Sequence, residues 1–88
     1  MSAFAVEQYL PDADALQAIV SRLVSAAEAI SADGLPARLA CSILVCEDEL
    51  CIHVFAAASQ EAVAKTAERA GLPIERIAKA ALVLPAAR

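Results

Sequence analysis

Two helix-terminating pairs, each a glycine followed two residues later by a proline, constrain the fold of this chain more than any other sequence feature. Gly34 and Pro36 follow residues 13–32, and Gly71 and Pro73 follow residues 60–70; in both segments apolar residues recur at helical spacing. Glycine adopts the left-handed conformation just past a helix end, and proline prevents the helix from continuing. The spacing therefore predicts two helices with these ends. Asp12 and Ser59 are the expected N-caps.

Four further segments have the composition of strands: residues 4–10, 37–46, 50–56 and 77–84. The acidic run Glu47-Asp48-Glu49 separates the second from the third, and we interpret it as a solvated hairpin turn rather than a cation site. The order strand–helix–strand–strand–helix–strand is that of the ferredoxin-like, split β-α-β fold. We therefore predict one α+β domain over residues 1–88. Both helices should cover one face of an antiparallel sheet of order 4-1-3-2.

The sheet face away from the helices is expected to be apolar. Both sides of the third strand are largely apolar, with Leu50, Ile52 and Val54 on one side and Cys51, His53 and Phe55 on the other. A sheet with one face in water alternates apolar and polar residues cleanly, and a large exposed apolar patch usually marks an interface. We predict a homodimer that stacks two sheets face to face. Phe55 is an interface residue if its side of the strand faces the partner.

Charge and composition exclude several classes of partner. The chain is 60% hydrophobic and carries a net charge of −4, with a pI near 4.8. Phosphate contacts dominate affinity for nucleic acids, so an acidic chain with scattered basic residues is a poor DNA, RNA or anionic-membrane binder. The first residues have neither the basic nor the long apolar region of a signal peptide, and no uninterrupted apolar run approaches bilayer length. We expect a cytoplasmic protein with reduced cysteines.

Several segments resemble the DUF4242 family of small bacterial proteins. They are Phe4-x-Val6-Glu7-x-Tyr9-Leu10-Pro11, Cys51-x-His53-x-Phe55 and Arg69-Ala70-Gly71-Leu72-Pro73. The resemblance covers nearly the whole chain and implies a ferredoxin-like dimer; some family members are described as nickel-binding. Those members are richer in histidine near the end of the first strand, where this chain reads Glu7-Gln8-Tyr9. The resemblance thus implies the fold and the dimer more than it implies nickel.

His53 is the one histidine of the chain and the first candidate for a ligand. Strands one and three are neighbours in the predicted order, so Glu7 and His53 are expected on the same, non-helical face, with Tyr9 beside them. Imidazole and carboxylate suit nickel or zinc, and the cluster could equally bind a small ligand. The alternative is a hydrogen-bonded histidine in a wet dimer interface.

The three cysteines, Cys41, Cys46 and Cys51, do not have the spacing of a closed zinc site. If the hairpin is centred on Asp48-Glu49, Cys46 and Cys51 lie opposite each other, close enough for a disulfide that could sense oxidation. The alternative is that all three are small buried hydrophobic residues.

These observations leave three functions open. The first is a non-enzymatic homodimer that holds nickel, another transition metal or a small ligand between two sheets. The second is a small dimeric α+β-barrel enzyme of the oxygenase or isomerase type, for which one histidine offers little acid–base chemistry. The third is a structural or regulatory interaction module.

Overall fold

Six regular elements follow one another in the expected order in a computed structural model of the protein, which describes residues 1–86. Their bounds are β1 (Ser2–Tyr9), α1 (Leu16–Ala32), β2 (Ala37–Val45), β3 (Leu50–Ala57), α2 (Gln60–Arg69) and β4 (Arg76–Ala80). Every strand pairing is antiparallel and the sheet order is β2-β3-β1-β4, which is the predicted 4-1-3-2 seen from the other edge. The α+β, ferredoxin-like prediction is confirmed.

The sequence indicated the N-cap of α2 and the ends of both helices, whereas α1 begins at Leu16, three residues later than expected, after Ala15, which makes no side-chain cap bond. The Asp12 carboxylate accepts a hydrogen bond from the Asp14 backbone N–H at 3.0 Å, in a 3₁₀ turn that leads into α1. The Ser59 hydroxyl accepts one from the Ala62 N–H at 3.2 Å at the start of α2. Gly34, at φ 95°, lies just past α1 in the left-handed region, and Gly71 does the same after α2.

The core lies between the helices and one face of the sheet. That face presents alternate residues of the two central strands, all buried: Phe4, Val6 and Gln8 of β1, and Cys51, His53, Phe55 and Ala57 of β3. Leu23 of α1 and Val63 of α2 are buried in the same core. Phe55 is 0% exposed and lies on the helix side, so its expected place in a sheet–sheet interface is wrong. Its ring is needed to fill the core between the layers.

β4 is shorter than predicted, because it ends at Ala80 and not at Leu84. Ala80 pairs with Ala3, and β1 begins one residue earlier, at Ser2. Beyond Ala80 the strand therefore runs out of partner. Leu82, Val83 and Leu84 extend past the sheet with 46%, 85% and 76% of their surface exposed.

One helical stretch among the described residues, Ala13–Ala32, is long and apolar enough to cross a membrane by length and composition. Its apolar residues Ile19, Leu23, Ala27 and Ile30 are buried in this fold. A core helix of a water-soluble protein has these same properties, so the stretch is weak support for a membrane segment.

Candidate functional site: the open face of the sheet

The open face, defined as the sheet surface opposite the helices, is apolar across its middle. Cross-strand pairing places Ile43 beside Ile52, Cys41 beside Val54, and Val45 beside Leu50 on this face. Ala5 of β1 pairs with Val54 from the other side, and Ala78 of β4 pairs with Ala5. All of these side chains are exposed or partly exposed, and Ile43 is 52% exposed. A continuous apolar surface thus crosses all four strands.

Charged and polar side chains lie around this apolar area. Glu7 pairs with Arg76 across β1 and β4, and their side chains form an ion pair of 3.2 Å. Tyr9, at the end of β1, donates a hydrogen bond to the Glu49 carboxylate at 3.2 Å. The negative charge of Glu49, together with this hydrogen bond, raises the pKa of the Tyr9 phenol above its usual 10.0. An apolar centre with a polar rim is the usual anatomy of a protein–protein interface.

Glu7 and His53 lie on opposite faces of the sheet, so the expectation that they share the open face is wrong. In the observed register Glu7 pairs with Ile52, whereas His53 pairs with Val6. Because directly paired residues point to the same side, Glu7 faces outward with Tyr9 and His53 faces the helices. The prediction chose the wrong parity for β3, since both parities of that strand are largely apolar.

His53 is fully buried, with two close polar partners on the helix side and the Cys51 Sγ at 3.9 Å from its Nδ1. Its Nε2 lies 2.8 Å from Gln8 Oε1 and its Nδ1 lies 2.7 Å from Ser42 Oγ. The amide oxygen of Gln8 can only accept, so Nε2 carries the proton and Nδ1 accepts from the Ser42 hydroxyl. Burial lowers the pKa of His53 below 6.5, which keeps the imidazole neutral.

This Gln8–His53–Ser42 chain was not anticipated from the sequence, although a signal was present. Gln8 interrupts the apolar side of β1, formed by Phe4, Val6 and Leu10, and is itself only 5% exposed. A single amide side chain on the otherwise apolar side of a strand indicates a buried polar partner, because burying an unpaired polar group destabilises the fold. His53 is the partner, and no buried side-chain nitrogen or oxygen among residues 1–86 lacks a hydrogen bond.

The distance between Ser42 and His53 is that of a catalytic nucleophile–base pair, but the surroundings of the imidazole are not those of a catalytic base. A catalytic imidazole needs access to substrate and a group behind it that stabilises its charged form. Here the ring is 0% exposed, and the group behind it is a neutral amide. The arrangement satisfies polar groups inside the core and offers no exposed base.

The structure separates the three cysteines. Cys51 pairs with Leu44, while Cys46 lies in the 3₁₀ turn of the hairpin, so these two cysteines are not the opposed pair that a hairpin centred on Asp48-Glu49 would give. All three are free thiols; Cys41 and Cys46 are exposed and Cys51 is buried. Burial raises the pKa of the Cys51 thiol. The alternative of three buried hydrophobic residues holds for Cys51 alone.

The residues proposed for nickel do not form a site within one chain. His53 is separated by the sheet from Glu7 and Tyr9, and Glu7 is already paired with Arg76. Within the described range, 1–86, three or more His, Cys, Asp or Glu side chains nowhere come together as a metal would require. Nickel binding stays a prediction of the resemblance, and these side chains do not fit it.

A cleft of about 560 Å³ lies between α1 and the start of β2. Its walls are mainly apolar and include Val24 and Ala27 of α1, with Pro36 and Leu39 from the other side. Arg38 supplies a positive charge at the same place. The sequence did not predict this cleft, which arises where an edge strand and a helix diverge.

The comparisons with known proteins add no relative. No family model matches the chain, and neither curated proteins nor solved structures match it. The function therefore has to be inferred from the faces and clefts described above.

Proposed function

We propose that this protein is a non-enzymatic homodimeric interaction module whose two copies associate through the open face. The observation that carries the proposal is the apolar surface across all four strands, centred on Ile43, Ile52 and Val54. Burying an exposed Val, Leu or Ile contributes about 1.5–3 kcal/mol when the burial is complete. A face with several half-exposed side chains of this kind gains substantially from a matching apolar surface.

A second copy of the same face would supply a matching apolar centre without an unpaired charge on its β1–β4 side. A two-fold axis presents the apolar centre of one copy to the apolar centre of the other. The charges on the β1–β4 side are already neutralised in pairs, since Glu7 binds Arg76 within the chain. The net charge of −4 per chain is thus carried mostly outside the contact. A homodimer is also what the resemblance to DUF4242 proteins implies.

The first experiment is light scattering coupled to size exclusion at micromolar concentrations. We expect a mass twice the chain mass of 9.1 kDa. A mass equal to one chain across that range would refute the proposal.

A matched pair of variants then tests the face itself. Ile43→Glu places a charge on the open face at a side chain that is already 52% exposed, so the fold should tolerate it. Ala64→Glu adds the same charge on the exposed side of α2. We expect Ile43→Glu to be monomeric and Ala64→Glu to remain dimeric, with helical circular dichroism unchanged in both. Equal effects of the two variants would contradict association through this face.

A further inference from the structure

The open face has two ends that differ in side-chain size. One row of paired residues crosses all four strands at the middle of the sheet: Ser42, His53, Val6 and Ile77. At one end of the open face the side chains are small, and they are Ala3, Ala56 and Ala80. At the other end the side chains are large, and they are Val45, Leu50 and Tyr9. These groups are here called the alanine end and the bulky end.

The two ends also differ in charge. Arg38 pairs with Ala56 at the alanine end, and its guanidinium forms no ion pair within residues 1–86. The hairpin turn that follows β2 lies beyond the bulky end and carries the exposed carboxylates of Glu47 and Asp48. The open face therefore has a positive charge at one end and negative charges beyond the other.

A two-fold axis can stack two copies of this face in two ways. An axis along the strands keeps each end in place, so that alanine end meets alanine end and bulky end meets bulky end. An axis across the strands, lying over the middle row and halfway between the two sheets, exchanges the ends. Each strand then lies over the same strand of the partner, and each alanine end meets the partner's bulky end.

Side-chain size favours the axis across the strands. Residues equally far from the middle row exchange places, so Ala56 lies against the partner's Leu50 and Ala3 against the partner's Tyr9. Each contact joins a small side chain to a large one, which suits the close packing of an interface core. An axis along the strands would place Ala56 against the partner's Ala3 and Leu50 against the partner's Tyr9. That arrangement leaves a gap at one end and crowds the other.

Charge favours the same orientation. An axis across the strands brings Arg38 over the partner's Val45, next to the partner's acidic turn. Stacked sheets are about 10 Å apart, and an extended arginine side chain crosses most of that distance. An axis along the strands would instead bring the acidic turn toward the partner's Glu75, which precedes β4 at the bulky end. Like charges would then face each other.

The Glu7–Arg76 ion pair also fits this orientation. With the axis across the strands, the pair lies over the partner's Ala5 and Ala78, whose small side chains leave room for it. With the axis along the strands, the pair would meet the exposed isoleucines of the partner's β2 and β3. Large side chains would then compete for the same space.

Resting on the homodimer proposed above, we infer that its two-fold axis runs across the strands. The alanine end of each copy packs against the bulky end of the other, and Arg38 of each copy lies against the acidic turn of the other. Because the copies are related by symmetry, this charged contact occurs twice and fixes the direction in which the sheets stack.

Mixtures of charge variants test the orientation. Ala56→Glu and Leu50→Lys each place a charge in the apolar contact, so each variant alone should associate more weakly than wild type. In an equimolar mixture the two new charges face each other across the interface, and native mass spectrometry should show a dimer with one chain of each kind. The control mixture combines Ala56→Glu with Ala3→Lys, whose new charges face each other only if the axis runs along the strands.

The outcomes separate this inference from the homodimer itself. A mixed dimer in the first mixture and not in the control supports the axis across the strands. No mixed dimer in the first mixture, or equal amounts in both, overturns that orientation when circular dichroism shows folded variants, while the wild-type dimer stands. A monomeric wild-type protein overturns both proposals.

Equilibrium sedimentation of Arg38→Glu tests the charged contact. Reversing this charge should raise the dimer dissociation constant at least about threefold at low salt, because like charges then meet twice, and the increase should largely vanish at high salt. Arg22→Glu, at an exposed position of α1, changes the net charge equally and should raise the constant less. Equal constants for the two variants would contradict the placement of Arg38 against the acidic turn.

Discussion

The most informative perturbation of this fold is Gln8→Leu, which removes the acceptor behind His53. The His53 Nε2–H donates to Gln8 Oε1 over 2.8 Å inside the core. Leucine is close in size to glutamine but accepts no hydrogen bond. The variant therefore leaves a buried donor without a partner, on a ring that is 0% exposed.

The expected cost follows from that orphaned donor. A buried polar group left unsatisfied costs about 1–3 kcal/mol, which is more than the net value of a typical hydrogen bond. In a domain of this size each kcal/mol lowers the melting temperature by roughly 4–8 °C. We expect Gln8→Leu to lose about 2 kcal/mol and to melt at least about 8 °C lower than wild type.

A double-mutant cycle distinguishes the orphaned donor from simple repacking. Replacing both partners, in Gln8→Leu/His53→Leu, removes donor and acceptor together and should recover much of the loss. Ser42, which is partly exposed, then turns to water. Urea unfolding of all four proteins at one concentration gives the coupling, since dimerisation would otherwise shift the apparent stability. A double variant that loses the full sum of the two single losses would refute the reasoning.

The buried Gln8–His53–Ser42 hydrogen bonds also predict how the free energy of unfolding depends on pH. Burial lowers the folded-state pKa of His53 below 6.5, so the unfolded chain takes up a proton that the folded chain resists. The stability from neutral His53 is therefore complete well above pH 6.5 and declines as the pH falls through that value. The stability difference between wild type and His53→Leu should shrink between about pH 7.5 and pH 5. A difference that stays constant would contradict a lowered pKa.

Two further predictions concern side chains outside the core. Cys41 and Cys46 should react with iodoacetamide in the native protein, while Cys51, which is buried with a raised pKa, should react only on unfolding. Mass spectrometry of the labelled peptides measures this. Labelling of Cys51 in the native protein would contradict its burial in the core. Tyr9 is the single tyrosine and there is no tryptophan, so its ionisation can be followed by absorbance. Its pKa should lie above 10.0 and fall toward that value in Glu49→Gln; an unchanged titration would mean that Glu49 does not act on the phenol.

Local sequence signals determined the elements and their order. Asp12, Ser59, Gly34 and Gly71 act through caps and turns within a few residues of their own position, so their roles could be read directly. The antiparallel sheet with its order followed from the element sequence, because few topologies connect these six elements without crossing. A hairpin after Val45 was also readable from its acidic turn.

Tertiary structure decided which side of each strand faces the helices. In β3 one side carries Ile52 and the other Phe55, and both sides are largely apolar, so hydrophobicity could not choose between them. A shift of one residue moves every side chain to the other face, and this is why His53 and Phe55 were expected on the open face but lie in the core. Only the pairing of all four strands fixes that parity. The same pairing ends β4 at Ala80, because a strand stops where its neighbour begins, and no pattern within residues 77–84 records the start of β1.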